Sequence, residues 1–190
     1  MVRPKEFDEE EVLQKAMIVF WRKGFRATTP NDLLTAMQIS KGSFYSTFGS
    51  KRELFLRCLR YYSAQIESQL REFLANPNIR QGLIKISKQV MDSACNEKTG
   101  CLIYNSASEL SPHDEEVDRI IKNAMKRSEK IYCDRIREGQ LSGEISSNRD
   151  PLAIARYLIT CFAGLGAVGK AGASRKGLEE VVSVSLQILD

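Results

Sequence analysis

Two short helical segments joined by a tight turn, within residues 24–53, constrain the fold of this chain most. Thr29 is followed by proline and predicts a helix start, because a hydroxyl caps free amides and proline fits the first helical position. Ser40 predicts the cap of the next helix, and Ser50, preceded by glycine, predicts the cap of a third. The segment therefore predicts a helix-turn-helix that runs directly into a further helix.

The second short helix separates apolar and polar side chains by face. Phe44 and Phe48 are four residues apart, so both side chains can point toward the core. A helix about 10–12 Å wide fits the major groove of DNA, where small hydroxyls come close to base edges. The outward face therefore predicts base contacts from Ser43, Tyr45, Ser46 and Thr47.

Helix starts and charge both favour DNA as the partner of this face. Free amides at helix N-termini can bind phosphates. Residues 1–60 carry eleven Lys/Arg and seven Asp/Glu, and residues 61–190 carry seventeen of each, so the net charge of +4 lies in the first third. The alternative is a helical hairpin whose outer face is merely solvated. The other predicted DNA contacts are Thr29, Lys41 and Lys51, at phosphates, and Gly42.

The sequence SKGSFYSTFGSKREL at 40–54 resembles the recognition-helix signature of the TetR family of bacterial transcriptional regulators, SKGxxYxxFxSKxxL. The upstream VLQKAMIVFWRKGFRATTPNDLL resembles the first helix and second-helix start of that family, so the similarity covers residues 8–60. Thr47 stands where histidine is frequent and Pro30 where serine or a branched residue is frequent, which implies a different base preference. TGCLIYNSASELSPHD at 99–114 is similar to a branch that includes electrophile-responsive repressors.

The resemblance implies a homodimeric, sequence-specific DNA-binding regulator, a repressor released from a palindromic operator by a small molecule or a reactive electrophile. A constitutive DNA binder without an effector is one alternative. The alternative from another class is a helical protein-interaction or enzyme module with a vestigial helix-turn-helix. The sequence contains no P-loop, GxGxxG, HExxH or Ser/His/Asp arrangement, so we expect no enzyme activity.

Apolar periodicity predicts an all-α fold of about nine helices. We expect a three-helix DNA-binding domain over 1–50 and a larger effector-binding and dimerisation domain over 51–190. The later helices are predicted to span Lys51 to Leu74, 79–95, 102–110, Pro112 to about Gly139 and 175–189, and one more helix is predicted to start at Asp150.

The last two predicted helices carry broad apolar stripes beside small residues. Such stripes can pack within one protomer, or pair with a second copy in a four-helix bundle. We favour the dimer because one short helix reads few bases, whereas two reading heads about 34 Å apart read a palindrome. The predicted interface residues are Tyr157, Cys161, Leu165, Val168, Val181, Val184 and Ile188.

Residues 61–148 are expected to hold the effector pocket, because small-molecule sites combine apolar walls with a few polar groups. A tyrosine or methionine stripe at helical spacing is also typical of a plain core. The candidate pocket residues are Tyr62, Ile66, Met91, Cys95, Cys101, Tyr104, Asn105, Met125 and Tyr132.

The five cysteines predict neither a disulfide framework nor a zinc site, because their spacing is irregular and the chain has one histidine. Cys101 follows glycine at a predicted helix N-terminus near Lys98, an arrangement that lowers a thiol pKa. A thiolate there could react with electrophiles; a small buried packing residue is the more common fate of a free cysteine. We expect no metal and no cofactor.

Composition is 43% hydrophobic and 27% charged, as in ordinary globular proteins. We expect no apolar run of the roughly 18 residues that span a bilayer, and MVRPKEFDEEEV lacks a signal-peptide apolar region. We therefore expect a cytoplasmic protein with no membrane partner.

Overall fold

The computed structural model describes residues 7–190, which form nine α-helices and no strand. The predicted all-α fold is confirmed. The helices are α1 Glu9–Lys23, α2 Pro30–Met37, α3 Lys41–Phe48, α4 Lys51–Leu74, α5 Ile79–Met91, α6 Leu102–Leu110, α7 Glu115–Leu141, α8 Pro151–Lys170 and α9 Arg175–Ser185.

Side-chain caps fix the first helices where the sequence predicts them. Thr29 forms a reciprocal capping box, in which its hydroxyl accepts from the amide of Asp32 and its own amide donates to the Asp32 carboxylate. The hydroxyls of Ser40 and Ser50 cap α3 and α4. Gln38 closes α2 in the left-handed region, with φ of 56°, and so forms the tight turn before α3.

Two apolar clusters form the interior, and the long helices α4 and α7 contribute to both. The first cluster joins α1, α2, α3 and α6 to the N-terminal halves of α4 and α7, where Leu59 and Ile121 are buried. The second joins α5, α8 and α9 to their C-terminal halves, where Leu74 and Ile136 are buried. A movement of α4 or α7 therefore changes the packing at both ends of the molecule.

Two predicted helices end earlier than expected. The fifth stops at Met91 and continues as a π-helical segment, Asp92–Asn96, while α9 stops at Ser185 and continues as a 3-10 helix, Leu186–Leu189. The π-helical segment lies against α8, where a Cβ added at Gly169 would stand 2.8 Å from the Cβ of Ala94. Glycine at this position permits the close approach.

The expectation that no apolar run reaches membrane-spanning length is wrong for α8. An 18-residue window of this 20-residue helix reaches a mean hydropathy of 1.6, so by length and composition alone it could cross a membrane. Alanine, interspersed among larger apolar residues, supplies part of this hydropathy. One face of α8 is buried within the protomer through Ile154, Leu158 and Phe162.

Candidate nucleic-acid interface and ligand cavity

The outward face of α3 is built as the sequence predicts. Phe44 and Phe48 are buried, at 1% and 3% exposure, whereas Tyr45 is 46% exposed. The Tyr45 ring stands edge-on to Phe44, with centroids 5.1 Å apart, so the buried ring supports the exposed one. Lys41, Gly42 and Ser46 are also exposed.

Two of the side chains predicted to contact bases, Ser43 and Thr47, are less accessible than the others. The hydroxyl of Ser43 is half-buried and lies 2.9 Å from that of Ser40, so it takes part in capping α3. The side chain of Thr47 is half-buried, and its carbonyl accepts a hydrogen bond from Arg57. Tyr45 and Lys41 therefore offer the most accessible side chains on this face.

The Lys51 ammonium does not project freely from the predicted position. It donates to the carbonyl of Thr28 over 2.5 Å and stands 4.4 Å from the ring centroid of Phe25. Burial lowers the pKa of Lys51, although the charges of Glu109 and Asp32 oppose that shift. The ammonium thus braces the turn before α2, and the hydroxyl of Thr29 is likewise engaged in its capping box.

A contact that sequence reasoning missed holds α1 to α2. The ammonium of Lys23 lies 2.7 Å from the carboxylate of Asp32. This hydrogen bond, together with those from Thr29, lowers the pKa of Asp32 to about 2. Spacing alone does not reveal the pair, because the two residues lie on different helices.

Two sets of polar contacts join the N-terminal part of the chain to α6 and the segment before it. The indole nitrogen of Trp21 donates to the carbonyl of Gly100 over 3.0 Å. The carboxylate of Glu109, on α6, accepts from the backbone amides of Phe25 and Arg26 over 3.0 and 2.7 Å. These contacts attach both ends of α6 to the unit formed by α1, α2 and α3, which we call the reading head.

A separate ion pair joins α4 to the start of α7. Arg52 donates to both carboxylate oxygens of Asp114 over 2.7 and 2.9 Å. Asp114 also caps α7 by accepting from the amides of Glu116 and Val117. The Arg52 hydrogen bond, supported by those of the cap, lowers the pKa of Asp114 to about 2.

A cavity of about 520 Å³ lies beneath α4 and is lined by residues of α1, α4, α5, α6, α7 and α8 together with the segment before α6. Its volume falls within the range of small-molecule sites. The predicted pocket residues that line it are Tyr62, Ile66, Cys101, Tyr104, Asn105 and Tyr132.

Three predicted pocket residues do not line this cavity. Met91 is buried in the second apolar cluster, at 4% exposure, and Met125 is 40% exposed on α7. Cys95 lies in the π-helical segment, whose altered register places its sulfur against α8 at Gly169.

Sequence reasoning also missed several lining residues. Each has an amide or aromatic side chain and lies on a helix face that the apolar pattern predicts to be core. Gln65 and Gln69, four residues apart on α4, were a readable signal, because amides rarely enter a purely apolar interface. The missed residues include Trp21, Gln65, Gln69, Phe73, Gln89 and Phe162.

Cys101 occupies the N-cap position of α6 and contributes to the cavity wall, but its environment differs from the one predicted. Burial raises the pKa of the thiol. Hydrogen bonds involving Tyr104, Tyr62 and Ile103 oppose that shift without cancelling it. The prediction of a lowered pKa at this helix start is therefore wrong, because desolvation outweighs the helix dipole.

The remaining cysteines and acidic groups form no metal centre in the part of the chain that the structure describes. Cys58 and Cys133 are buried, and Cys161 is half-buried. Between residues 7 and 190, no three His, Cys, Asp or Glu side chains converge closely enough to hold a metal ion.

The α8 and α9 stripes leave an exposed apolar face on the protomer, defined by Tyr157, Val168, Val181 and Val184, which are 41%, 50%, 48% and 62% exposed. Cys161 and Ile188 are half-buried. Leu165 is 2% exposed within the second apolar cluster, so its inclusion among the interface residues is wrong.

Comparison with known proteins decides the family. The model described as "Bacterial regulatory proteins, tetR family" matches residues 12–58, and "Tetracyclin repressor-like, C-terminal domain" matches residues 77–184. This chain belongs to the TetR family. The predicted family is confirmed, and the TetR-family protein is a DNA-binding transcriptional regulator rather than an enzyme.

Two curated relatives align over nearly the whole TetR-family chain. The uncharacterized HTH-type transcriptional regulator YezE of Bacillus subtilis (strain 168) is 32% identical over 194 residues, covering 100% of both chains. The HTH-type transcriptional repressor ComR of Escherichia coli (strain K12) is 28% identical over 192 residues, covering 98% of this chain and 90% of ComR.

A solved relative shows the same fold on DNA. A cysteine mutant of the TetR family regulator CifR, complexed with 26bp double-strand operator DNA, is 29% identical with a TM-score of 0.86. The match covers 99% of this TetR-family chain and 100% of CifR. TetR-family regulators act as dimers with small-molecule effectors, so the vestigial-module alternative is not favoured.

Proposed function

We propose that this TetR-family protein is a repressor whose homodimer binds a palindromic operator and releases it when an effector occupies the cavity beneath α4. One observation carries the proposal: Trp21 belongs to α1 of the reading head and also lines the cavity. A ligand there contacts the DNA-binding unit directly. Differential contacts of this kind are what couples two sites.

The DNA interface centres on α3. Tyr45, Ser46 and Thr47 contact base edges, with Ser43 beside them, while Lys41 and Gly42 lie at the free N-terminus of the helix and meet phosphate. Thr29 and Lys51 lie at the first turns of α2 and α4, where unpaired backbone amides bind phosphate even though their side chains are engaged. The seven exposed or partly exposed polar side chains of this surface support this assignment.

A second copy covers the exposed apolar face of α8 and α9. Residues such as Tyr157 and Val184 are costly to leave in water as one contiguous patch. A two-fold axis through this face pairs each helix with its counterpart and places two reading heads on one duplex. We keep the domain division near residue 50, with α4 as the connection, and place the protein in the cytoplasm, where its DNA lies.

Release follows from the connections of α6. Ligand contacts near Gly100 and Cys101 act on the start of α6, and Glu109 at its other end holds the amides of Phe25 and Arg26. A displacement of α6 or α4 then changes the separation of the two heads. Because each head must reach its own major groove, even a small change lowers operator affinity.

Selection from a random duplex library with the purified protein tests the DNA-binding half of the proposal. The selected duplex, labelled with fluorescein, then reports release by anisotropy as ketones, aldehydes and quinones are added. Release by at least one compound that also quenches the single tryptophan supports the proposal. Cavity binding without any change in operator affinity contradicts it.

Covalent attachment at Cys101 is the second route to release, favoured by the position of its thiol in the cavity wall. Cys101→Ser removes the nucleophile and leaves a side chain of similar size. If electrophiles act through this sulfur, the serine variant binds operator normally and no longer responds to them. An unchanged response to electrophiles assigns release to reversible occupancy.

A further inference from the structure

The cavity beneath α4 has no built-in partner for an anion. Among residues 7–190, no lysine, arginine or histidine lines it. Its two acidic residues are Asp92, whose carboxylate lies 2.7 Å from the guanidinium of Arg175, and the exposed Glu97. A carboxylate or phosphate entering this space would lose its hydration without gaining a cation, which is costly.

Two tyrosine hydroxyls give the cavity hydrogen-bond donors that a ligand can use. Tyr104 and Tyr132 both line it, and neither hydroxyl is hydrogen-bonded to another residue of the described chain. Burial raises the pKa of Tyr104 to about 12 and that of Tyr132 still further, so both phenols remain protonated at neutral pH. The two phenols are close enough that a charge on Tyr104 raises the pKa of Tyr132.

Two side-chain amides of the wall are already engaged through their nitrogen atoms. The amide nitrogen of Gln89 donates to the carbonyl of Gln69 over 2.9 Å. The amide nitrogen of Asn105 donates to the carbonyl of Thr99 over 2.7 Å. The phenols of Tyr104 and Tyr132, by contrast, have no protein partner among the described residues, so a ligand that shields them from water without accepting their hydrogen bonds loses about 1–3 kcal/mol for each donor.

The rest of the wall is suited to a flat ring. Aromatic side chains line the cavity at several positions, and Tyr132 lies 6.5 Å from Phe162 between ring centroids. Aromatic rings prefer offset or edge contacts with such neighbours. The volume of about 520 Å³ leaves room for two or three fused rings.

Resting on the proposed function, we propose that the effector is an uncharged aromatic carbonyl compound whose oxygen accepts hydrogen bonds from Tyr104 and Tyr132. The rings contact the aromatic wall. The carbonyl satisfies donors that the protein leaves free, and the absence of a cation in the wall rejects acids. The inference concerns ligand chemistry and not the operator.

Matched naphthalene probes test this inference on DNA-free protein. The probes are 2-acetylnaphthalene, 2-isopropenylnaphthalene, 2-naphthoate and 2-naphthylmethylammonium, which share one ring system and differ in the polar group. Trp21 is the single tryptophan and lines the cavity, so its fluorescence reports occupancy. We expect the ketone to bind at least about fivefold more tightly than its alkene analogue, the effect of one neutral hydrogen bond.

Hydroxyl-deletion variants separate the phenols from the rings. Tyr104→Phe and Tyr132→Phe should each weaken ketone binding about fivefold and leave binding of the alkene unchanged. Tyr61→Phe is the matched control, because its hydroxyl bonds Gln14 and Glu10 outside the cavity. The double variant removes both donors while keeping both rings.

Three results would overturn the inference: naphthoate or the ammonium binding as tightly as the ketone, no loss in the double variant, or no probe binding at all. These outcomes are separate from failure of the proposed function. If the ketone binds with the expected pattern but the operator complex is unaffected, the ligand class stands and the release mechanism falls.

Discussion

The indole nitrogen of Trp21 donates to the carbonyl oxygen of Gly100 over 3.0 Å. The same ring stands edge-on to Tyr62, with centroids 5.0 Å apart. One side chain of the reading head thus meets both the segment before α6 and the wall of the ligand cavity. The two functions of the regulator meet physically at this residue.

Trp21→Phe should keep an aromatic ring in place and remove the hydrogen bond to Gly100. We expect operator affinity without ligand to change little, whereas release by 2-acetylnaphthalene weakens. Loss of a bond worth about 1 kcal/mol should reduce the ligand-induced change in operator affinity by about fivefold. Anisotropy of a labelled duplex, with and without saturating ketone, measures both quantities.

The matched control for this substitution is Tyr61→Phe, which removes hydrogen bonds between α4 and α1 away from the cavity. Its ligand-induced change should equal that of the wild type. An undiminished change in Trp21→Phe would show that the indole nitrogen does not carry the signal.

Asp114 should make the free energy of unfolding depend on pH in the acid range. Its pKa is lowered from 3.8 to about 2 in the folded protein, so its contribution is fully present above the unfolded pKa and is lost as pH falls through about 2. Asp114→Asn keeps a good N-cap and removes the charge that Arg52 binds. The variant should melt at lower temperature at pH 7 and lose less stability between pH 4 and 2.

Circular dichroism melts across that pH range measure the difference. Asp150→Asn is the control, because Asp150 caps α8 and makes no ion pair within the described chain. Parallel melting curves for wild type and Asp114→Asn between pH 4 and 2 would exclude the ion pair as the source of acid sensitivity.

Lys41 should contribute one phosphate contact. Lys41→Ala should weaken operator binding and lower the slope of log K against log salt by about 0.9, because one fewer counterion is released. Lys85→Ala removes another exposed lysine, from α5, and should leave the slope unchanged. An unaltered slope in the Lys41 variant would place that side chain off the DNA backbone.

The exposed apolar face should hold the dimer together. Val184→Glu places a charge where the partner protomer packs and should raise the dimer dissociation constant about a hundredfold or more, since an uncompensated buried charge costs about 3–5 kcal/mol. Leu141→Glu is the control, because Leu141 is more exposed, at 83%, but lies at the end of α7. Sedimentation velocity distinguishes the two species; an intact Val184→Glu dimer would rule out this interface.

Local signals predicted the helix-turn-helix almost completely. Caps at Thr29, Ser40 and Ser50 depend on a few adjacent residues, and all three lie where the sequence indicates. The start of α6 after Cys101 was equally readable. These features follow from the chain itself, so tertiary packing had little to change.

Features that depend on residues distant in the chain could not be predicted from the sequence. The inward turn of Lys51 depends on Thr28 and Phe25, and the raised pKa of Cys101 depends on burial that no spacing reveals. The π-helical segment shifted the register at Cys95. Leu165 falls on the same apolar stripe as its exposed neighbours, and only packing decides which face of α8 each residue occupies.

Selection of duplexes by wild-type protein and by Tyr45→Ala, run in parallel from one random library, tests the central claim most directly. Tyr45 is 46% exposed and supports no buried contact of the fold other than the edge of Phe44, so the variant should remain a folded dimer. We predict that the wild type enriches a palindrome with half-sites about 34 Å apart and that the variant binds it at least about fivefold more weakly. Enrichment of no sequence by the wild type, or equal binding of the palindrome by the variant, would contradict the account.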